Sequence, residues 1–198
     1  MQVKEYFNIK DDDVTNYMVK SEAPKIFSFC GINIYTKDSL AFLTHHQWLD
    51  AIDLINTSKN DLDLMNLITI FHWKEIDKRQ YKKYTAEAKI DELLKMNVLH
   101  AYSVTFKYAD MITKQAAKEN ESLQTSMTGK ERTAYEKANY DKLNMFGDFG
   151  VRCNIAEMLG CFPEDVLKRK HNEIYYYLLY KMKKGECDKI YNEEINKV

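Results

Sequence analysis

Apolar side chains recur along most of this chain at helical spacing, in stretches separated by short polar turns. Leu40, Leu43, Leu49, Ile52 and Ile55 follow that period. They predict a helix capped by Thr36 or Asp38 and ended by the turn Asn56-Thr57-Ser58-Lys59-Asn60. Asp61 then opens a second helix with Leu64, Leu67, Ile68 and Phe71 on one face, expected to leave the core where Glu75 to Lys83 turn almost wholly charged. Residues 86–121 read as one long helix or two abutting ones, including Val98 to Phe106 in spite of its β-branched and aromatic content. Near the N-terminus, Asp11-Asp12-Asp13 can cap a short helix through Ser21 that Pro24 closes.

One stretch breaks the helical pattern. From Ile26 to Tyr35 the residues are β-branched and aromatic around a central Gly31, which predicts a small hairpin or bent strand lying on the helical body or pairing with a partner's edge. Farther on, Glu119 to Gly129 is polar and rich in Ser and Thr, as a connection would be. Thr128 and Glu131 have the spacing of a capping box for a helix reaching Met145, and Gly147 and Gly150 are expected to break it. Three short helices should follow: Ile155 to Leu159 closed by Gly160, Pro163 to Lys168, and a third capped by Asn172 and running to Lys184 before Gly185. The expected fold is therefore mainly α, a helical bundle with a small β-hairpin or strand near the N-terminus and a compact three-helix C-terminal segment. It divides into a body, 1–120, and a C-terminal segment, 121–198, with the boundary in the polar 119–129 stretch.

Composition supports a folded chain: 45% hydrophobic and 30% charged residues over a length of 198 can bury a core without disulfide or metal staples. Net charge is −1, and arginine occurs only at Arg79, Arg132, Arg152 and Arg169. No global field draws such a chain to nucleic acid, and the residue best suited to bidentate phosphate and base recognition is scarce, so nucleic acid is not an expected partner. The longest apolar run, Leu62 to Trp73, is interrupted by Asp63, Asn66 and His72 and predicts no membrane span. The polar opening Met1-Gln2-Val3-Lys4-Glu5 and the irregular spacing of Cys30, Cys153, Cys161 and Cys187 point to free thiols and a cytoplasmic location.

Candidate chemistry changes little. His45, His46, His72, His100 and His171 form no HExxH, and the adjacent pair His45-His46 diverges by roughly 100° on a helix, so no metal is expected. Asp148-Phe149-Gly150 matches the magnesium tripeptide of kinases, but no glycine-rich loop or other part of that set accompanies it. No Walker loop, GxGxxG or GxSxG is present, so no catalytic residue and no cofactor are assigned and a non-enzymatic role is expected. Lys74 to Lys83 mixes both charge signs, as a solvated face or linker does, although Tyr81 and Tyr84 could stack on bases.

Two patterns near the C-terminus remain. Ile155 to Leu167 has the small residue, glycine and later valine of a helix-turn-helix, the alternative reading being a DNA-binding regulator, yet Glu164 and Asp165 would face a polyanion. Tyr175, Tyr176, Tyr177 and Tyr180 surround a helix with Leu178 and Leu179, either sandwiching it in the fold or giving it a contact face. Together, residues 151–185 combine a small helix, a Pro163-Glu164-Asp165-Val166-Leu167 turn and an aromatic, leucine-rich helix with a charged end. In this they resemble the tail assembly chaperones and baseplate-assembly proteins of tailed bacteriophages. The resemblance implies a structural or assembly protein, a tail, baseplate or connector component of the virion or its chaperone, in host cytoplasm or particle. Its partners would be other proteins of the same assembly, with a homo-oligomer as a further expectation, held through Val166, Leu167, Tyr175, Tyr176, Leu178 and Leu179.

Overall fold

The computed structural model describes residues 22–83, 89–124 and 128–196. The helix expected before Ser21 lies outside them. Among the described residues the chain is mainly helical with one small antiparallel hairpin, and it divides into two compact units between Ala116 and Ala117.

In the N-terminal unit the hairpin pairs β1 (Ile26–Phe29) with β2 (Ile32–Tyr35), in the register Phe27 to Ile34 and Phe29 to Ile32. The two-residue turn puts Cys30 and Gly31 at φ 51° and 74°, the left-handed geometry whose twist matches the strands. Phe27, Phe29 and Ile34 point into the core, while Ile26 and Ile32 stay exposed, the alternation expected of a half-buried ribbon.

Helix α1 (His45–Thr57) starts later than its apolar spacing suggests. Neither Thr36 nor Asp38 caps it: the Thr36 hydroxyl bonds the Pro24 carbonyl, closing the base of the hairpin. Thr44 is the cap, in a box with Gln47 whose side chain also donates to the Ile70 carbonyl at 2.6 Å, so one glutamine both starts α1 and ties it to its neighbour. That neighbour, α2 (Asp61–Phe71), starts at Asp61 as expected and is capped by Asn60, which accepts a 2.9 Å bond from the Asp63 amide.

The charged stretch after Phe71 does not extend the helix into solvent. A single turn, α3 (Trp73–Ile76), is followed by chain that folds back, because the Trp73 indole donates to the Arg79 carbonyl at 2.8 Å and Tyr81 is buried edge-on against Trp73. Two buried aromatics outweigh the solvation of the lysines around them. A short α4 (Ile90–Leu93) and a long α5 (Val98–Ser122) follow. The β-branched run Val98 to Phe106 is helical because Val98, Ala101, Tyr102, Val104, Tyr108 and Ile112 all reach the core, and tertiary burial overrides weak propensity. The unit boundary at Ala116 falls inside α5 rather than in the polar stretch behind it.

The C-terminal unit opens with α6 (Gly129–Lys137), capped by the Thr128 and Glu131 box. It ends well short of Met145: Asn139 turns left-handed and a 3-10 segment, Tyr140–Phe146, takes over. Gly147, at φ 46°, separates that segment from α7 (Gly147–Leu159), but Gly150 lies inside α7 and breaks nothing. Gly160, at φ 62°, ends α7 as expected, and Pro163 opens α8 (Pro163–Val166), a single turn. The last helix, α9 (His171–Ile195), begins without a side-chain cap, holds Asn172 inside it and passes straight through Gly185. A lone glycine costs a helix about 1 kcal/mol, which an otherwise good helical sequence absorbs.

Candidate interaction surface

Three places in the described residues could serve a function, and each is limited by what surrounds it. The first is the polar centre of the N-terminal unit. His72 is fully buried, with Phe27 edge-on to its ring and Tyr108 beside it. The Lys37 amide donates to the Tyr108 oxygen at 3.0 Å, and the Tyr108 hydroxyl and His72 Nε2 share a second hydrogen bond at 2.6 Å. Nδ1 faces Glu75 Oε1 at 3.9 Å, beyond hydrogen-bond reach.

Burial holds His72 neutral, pushing its pKa down to about 4 against the pull of Glu75. Burial likewise holds the Tyr108 phenol protonated well above its ordinary range. Glu75 is itself pushed up by burial but drawn below its usual value by the Lys37 ammonium it pairs with. A histidine and a phenol buried in this way, each 0% exposed, fasten the segment after β2 to α2 and α5.

That geometry carries a pH dependence. An unfolded His72 titrates near 6.5 and the folded one near 4, so the unfolded chain binds the extra proton first and stability falls as pH drops through that window. Between about pH 7 and pH 5 the loss attributable to this one ring is about 2 kcal/mol. His72→Gln, which can still hydrogen-bond Tyr108, is expected to flatten urea-unfolding stability across that interval. An unchanged slope would show that the ring is not the titrating group.

The second place is a cleft of about 630 Å³ between β1, the hairpin turn and the junction of α4 with α5, lined among others by Ser28, Cys30, Glu92, Lys95, Asn97 and His100. Much of its polar lining is engaged with itself: Lys95 pairs with Glu92 at 2.7 Å and Asn97 Oδ1 accepts from the Leu99 amide at 3.0 Å. Burial pushes the Cys30 thiol up, against the lowering by Lys89, which favours an unreactive thiol over a thiolate. Among the described residues no group of three or more His, Cys, Asp or Glu side chains is arranged to hold a metal ion. No described helix is long and apolar enough to cross a membrane.

The third is the surface of the C-terminal unit. Its core is small: Ile155, Ala156, Val166 and Ile174 are buried, with Met158, Leu159, Cys161 and Leu178 packed around them. Of the residues expected to meet a partner, Val166 and Tyr175 are therefore interior, and Leu167, Leu178 and Leu179 are half-buried. Tyr176 alone in that set stands fully out, at 64% exposure. The tyrosine-rich helix thus splits its rings between the two expected roles. Tyr175 packs inward, the Tyr177 hydroxyl donates to the Met158 carbonyl at 2.8 Å, and Tyr176 and Tyr180 face solvent. His171 closes the unit from another side, paired with the buried Glu119 at 2.8 Å.

What sequence reading missed is the apolar surface running from Tyr140 to Phe162. Among the described residues, twelve of the sixteen large hydrophobic side chains left exposed belong to the C-terminal unit. They include Leu143, Met145, Phe146, Phe149 and Val151 around the start of α7, and Phe162 at 74% exposure before α8. Solvated aromatic residues in such density are the mark of a contact surface rather than of a solvated face. The available signal was that Tyr140 to Val151 is rich in large apolar residues without a helical stripe, so no single own-chain face could take them all.

The chain matches no protein-family model, no curated protein and no solved structure.

Proposed function

We propose that this chain is a non-enzymatic structural or assembly protein that works by protein contact, with the C-terminal unit carrying the contact surface. The observation behind this reading is the disproportion in that unit between a core of a few side chains and a surface holding most of the exposed large hydrophobics. A unit built this way is stabilised further when a partner covers Phe146, Phe149 and Phe162, and apolar and aromatic burial supplies most of the affinity of such interfaces. The likeness of residues 151–185 to phage tail assembly chaperones and baseplate-assembly proteins supplies the context. In it the partners are other proteins of the same tail, baseplate or connector assembly, in host cytoplasm or particle.

The DNA-binding alternative gains nothing from the geometry. The helix that would lie in a groove, α8, is one turn long and carries Glu164 and Asp165, and the Asp165 carboxyl is held below its usual range by Lys168. A reading helix needs several turns and a cationic face.

The test is co-expression with the products of the adjoining reading frames, followed by size-exclusion chromatography with light scattering. A stoichiometric complex is expected that Phe146→Asp with Phe162→Asp abolishes while the free chain keeps its melting temperature. No complex, or one indifferent to both substitutions, would sink the proposal, as would salt-dependent retention on duplex DNA.

A further inference from the structure

Beyond Met182 every described residue of α9 is exposed, so the last three turns of a long helix bury no side chain among the described residues. A solvated helical segment of that length, containing a glycine, is marginal in isolation. Its two sides differ. The inner side carries Ile174 and Leu178 in the small core, and farther along Lys189, which reaches Glu131 at 3.1 Å. At about 100° per residue, Tyr176, Tyr180, Lys183, Lys184, Cys187, Ile190, Tyr191 and Glu194 all fall within roughly 60° of the opposite side, centred on Cys187. Tyr176, Tyr180, Ile190 and Tyr191 are each more than 60% exposed. The stripe is roughly 27 Å long.

Charge is distributed unevenly along it. Over the helix beyond Tyr180, Lys181, Lys183, Lys184 and Glu186 precede Cys187, and Asp188, Lys189, Glu193 and Glu194 follow it, an excess of positive charge before the cysteine and of negative charge after it. Lys183 pairs with Glu186 at 3.0 Å and Lys184 with Asp188, exposed intrahelical pairs that support the helix and leave the asymmetry between its halves in place. We propose that a second copy of this chain docks antiparallel on the outer face of α9, about a two-fold axis at Cys187.

That axis sets Lys183 against Tyr191 of the second copy, a cation over a ring, and lays the stem of Lys184 along Ile190 of the second copy. It sets Tyr180, a hydroxyl donor, against Glu194 of the second copy, and the lysine-bearing half of each helix beside the glutamate-bearing half of the other. A parallel pair would instead oppose lysine with lysine and glutamate with glutamate, which costs rather than contributes. An isologous pair repeats each of these contacts twice. The face is distinct from the Phe146 to Phe162 surface, so self-association and the assembly contact stand or fall separately.

The experiment is sedimentation equilibrium on the full chain, with short bismaleimide cross-linking and peptide mapping. A concentration-dependent dimer is expected whose main linkage is Cys187 to Cys187, in preference to Cys30, Cys153 or Cys161. Tyr191→Asp, at an exposed position that leaves the circular dichroism spectrum unchanged, should abolish the dimer. Lys183→Glu with Lys184→Glu should weaken it about tenfold, and adding Glu193→Lys with Glu194→Lys to the same chain should restore it. A monomer at all concentrations overturns the proposal. So does a dimer that Tyr191→Asp leaves intact, or one in which the fourfold charge swap brings no recovery, the behaviour of a parallel pair.

Discussion

Phe71→Ala is expected to destabilise the N-terminal unit by about 3–5 kcal/mol, the range for truncating a fully buried aromatic side chain. Phe71 is 1% exposed and lies at the centre of the unit. One face of its ring stacks on Tyr108, with centroids 3.9 Å apart and planes 8° from parallel, and Phe42 meets it edge-on at 5.7 Å. Alanine would leave a ring-sized void bounded by α2 and α5, whose backbones are already fixed by their own hydrogen bonds and cannot close over it. It would also free Tyr108 to tilt, slackening its 2.6 Å bond to His72. The check is urea unfolding followed by tryptophan fluorescence, since Trp48 and Trp73 both report from this unit. A loss below about 1 kcal/mol would mean that the stacked pair is not what fills the core.

Val166→Asp should act with similar force on the other unit and leave the first one standing. Val166 is fully buried among Ile155, Ala156 and Ile174, and the side chains that form that core with it are apolar. Burying an unpaired charge costs several kcal/mol, enough to open a unit with so little apolar burial to oppose it. Hydrogen exchange separates this outcome from general unfolding: amides of α7 and of the first turns of α9 should lose protection while those of Leu67, Ile68 and Tyr102 keep theirs. Loss of protection in both sets would show that the two units fold as one. Leu178→Asp, at the half-buried rim of the same core, should do the same to a lesser degree.

Much of the architecture was legible in the residues, and the reason is that its causes are local. The hairpin followed from the β-branched and aromatic residues on either side of Gly31, the start of α6 from Thr128 and Glu131, the end of α7 from Gly160, and the start of α8 from Pro163. In each case the determining atoms lie within a few residues of one another, so spacing alone is sufficient. Where the expectation failed, the deciding contact was distant or the competing cap was nearly as good. Thr36 had the chemistry of a cap but is taken by Pro24, and Thr44 had the better partner in Gln47. Lys74 to Lys83 had the composition of a solvated helix, yet Trp73 and Tyr81 find each other and turn the chain back.

The candidate surface divides along the same line. That the C-terminal segment is helical, tyrosine-rich and suited to contact is a property of its composition and period. Which rings face outward is not, because three consecutive tyrosines cover most of a helix's circumference and only the position of the neighbouring core selects among them. Most helix starts and stops are thus set by neighbours in the chain, whereas the helicity of Val98 to Phe106, the buried His72–Tyr108 bond, the division of Tyr175 from Tyr176 and the exposure of the end of α9 depend on residues brought together from far along it. Burial is a collective property of packed elements, and no window of sequence contains it.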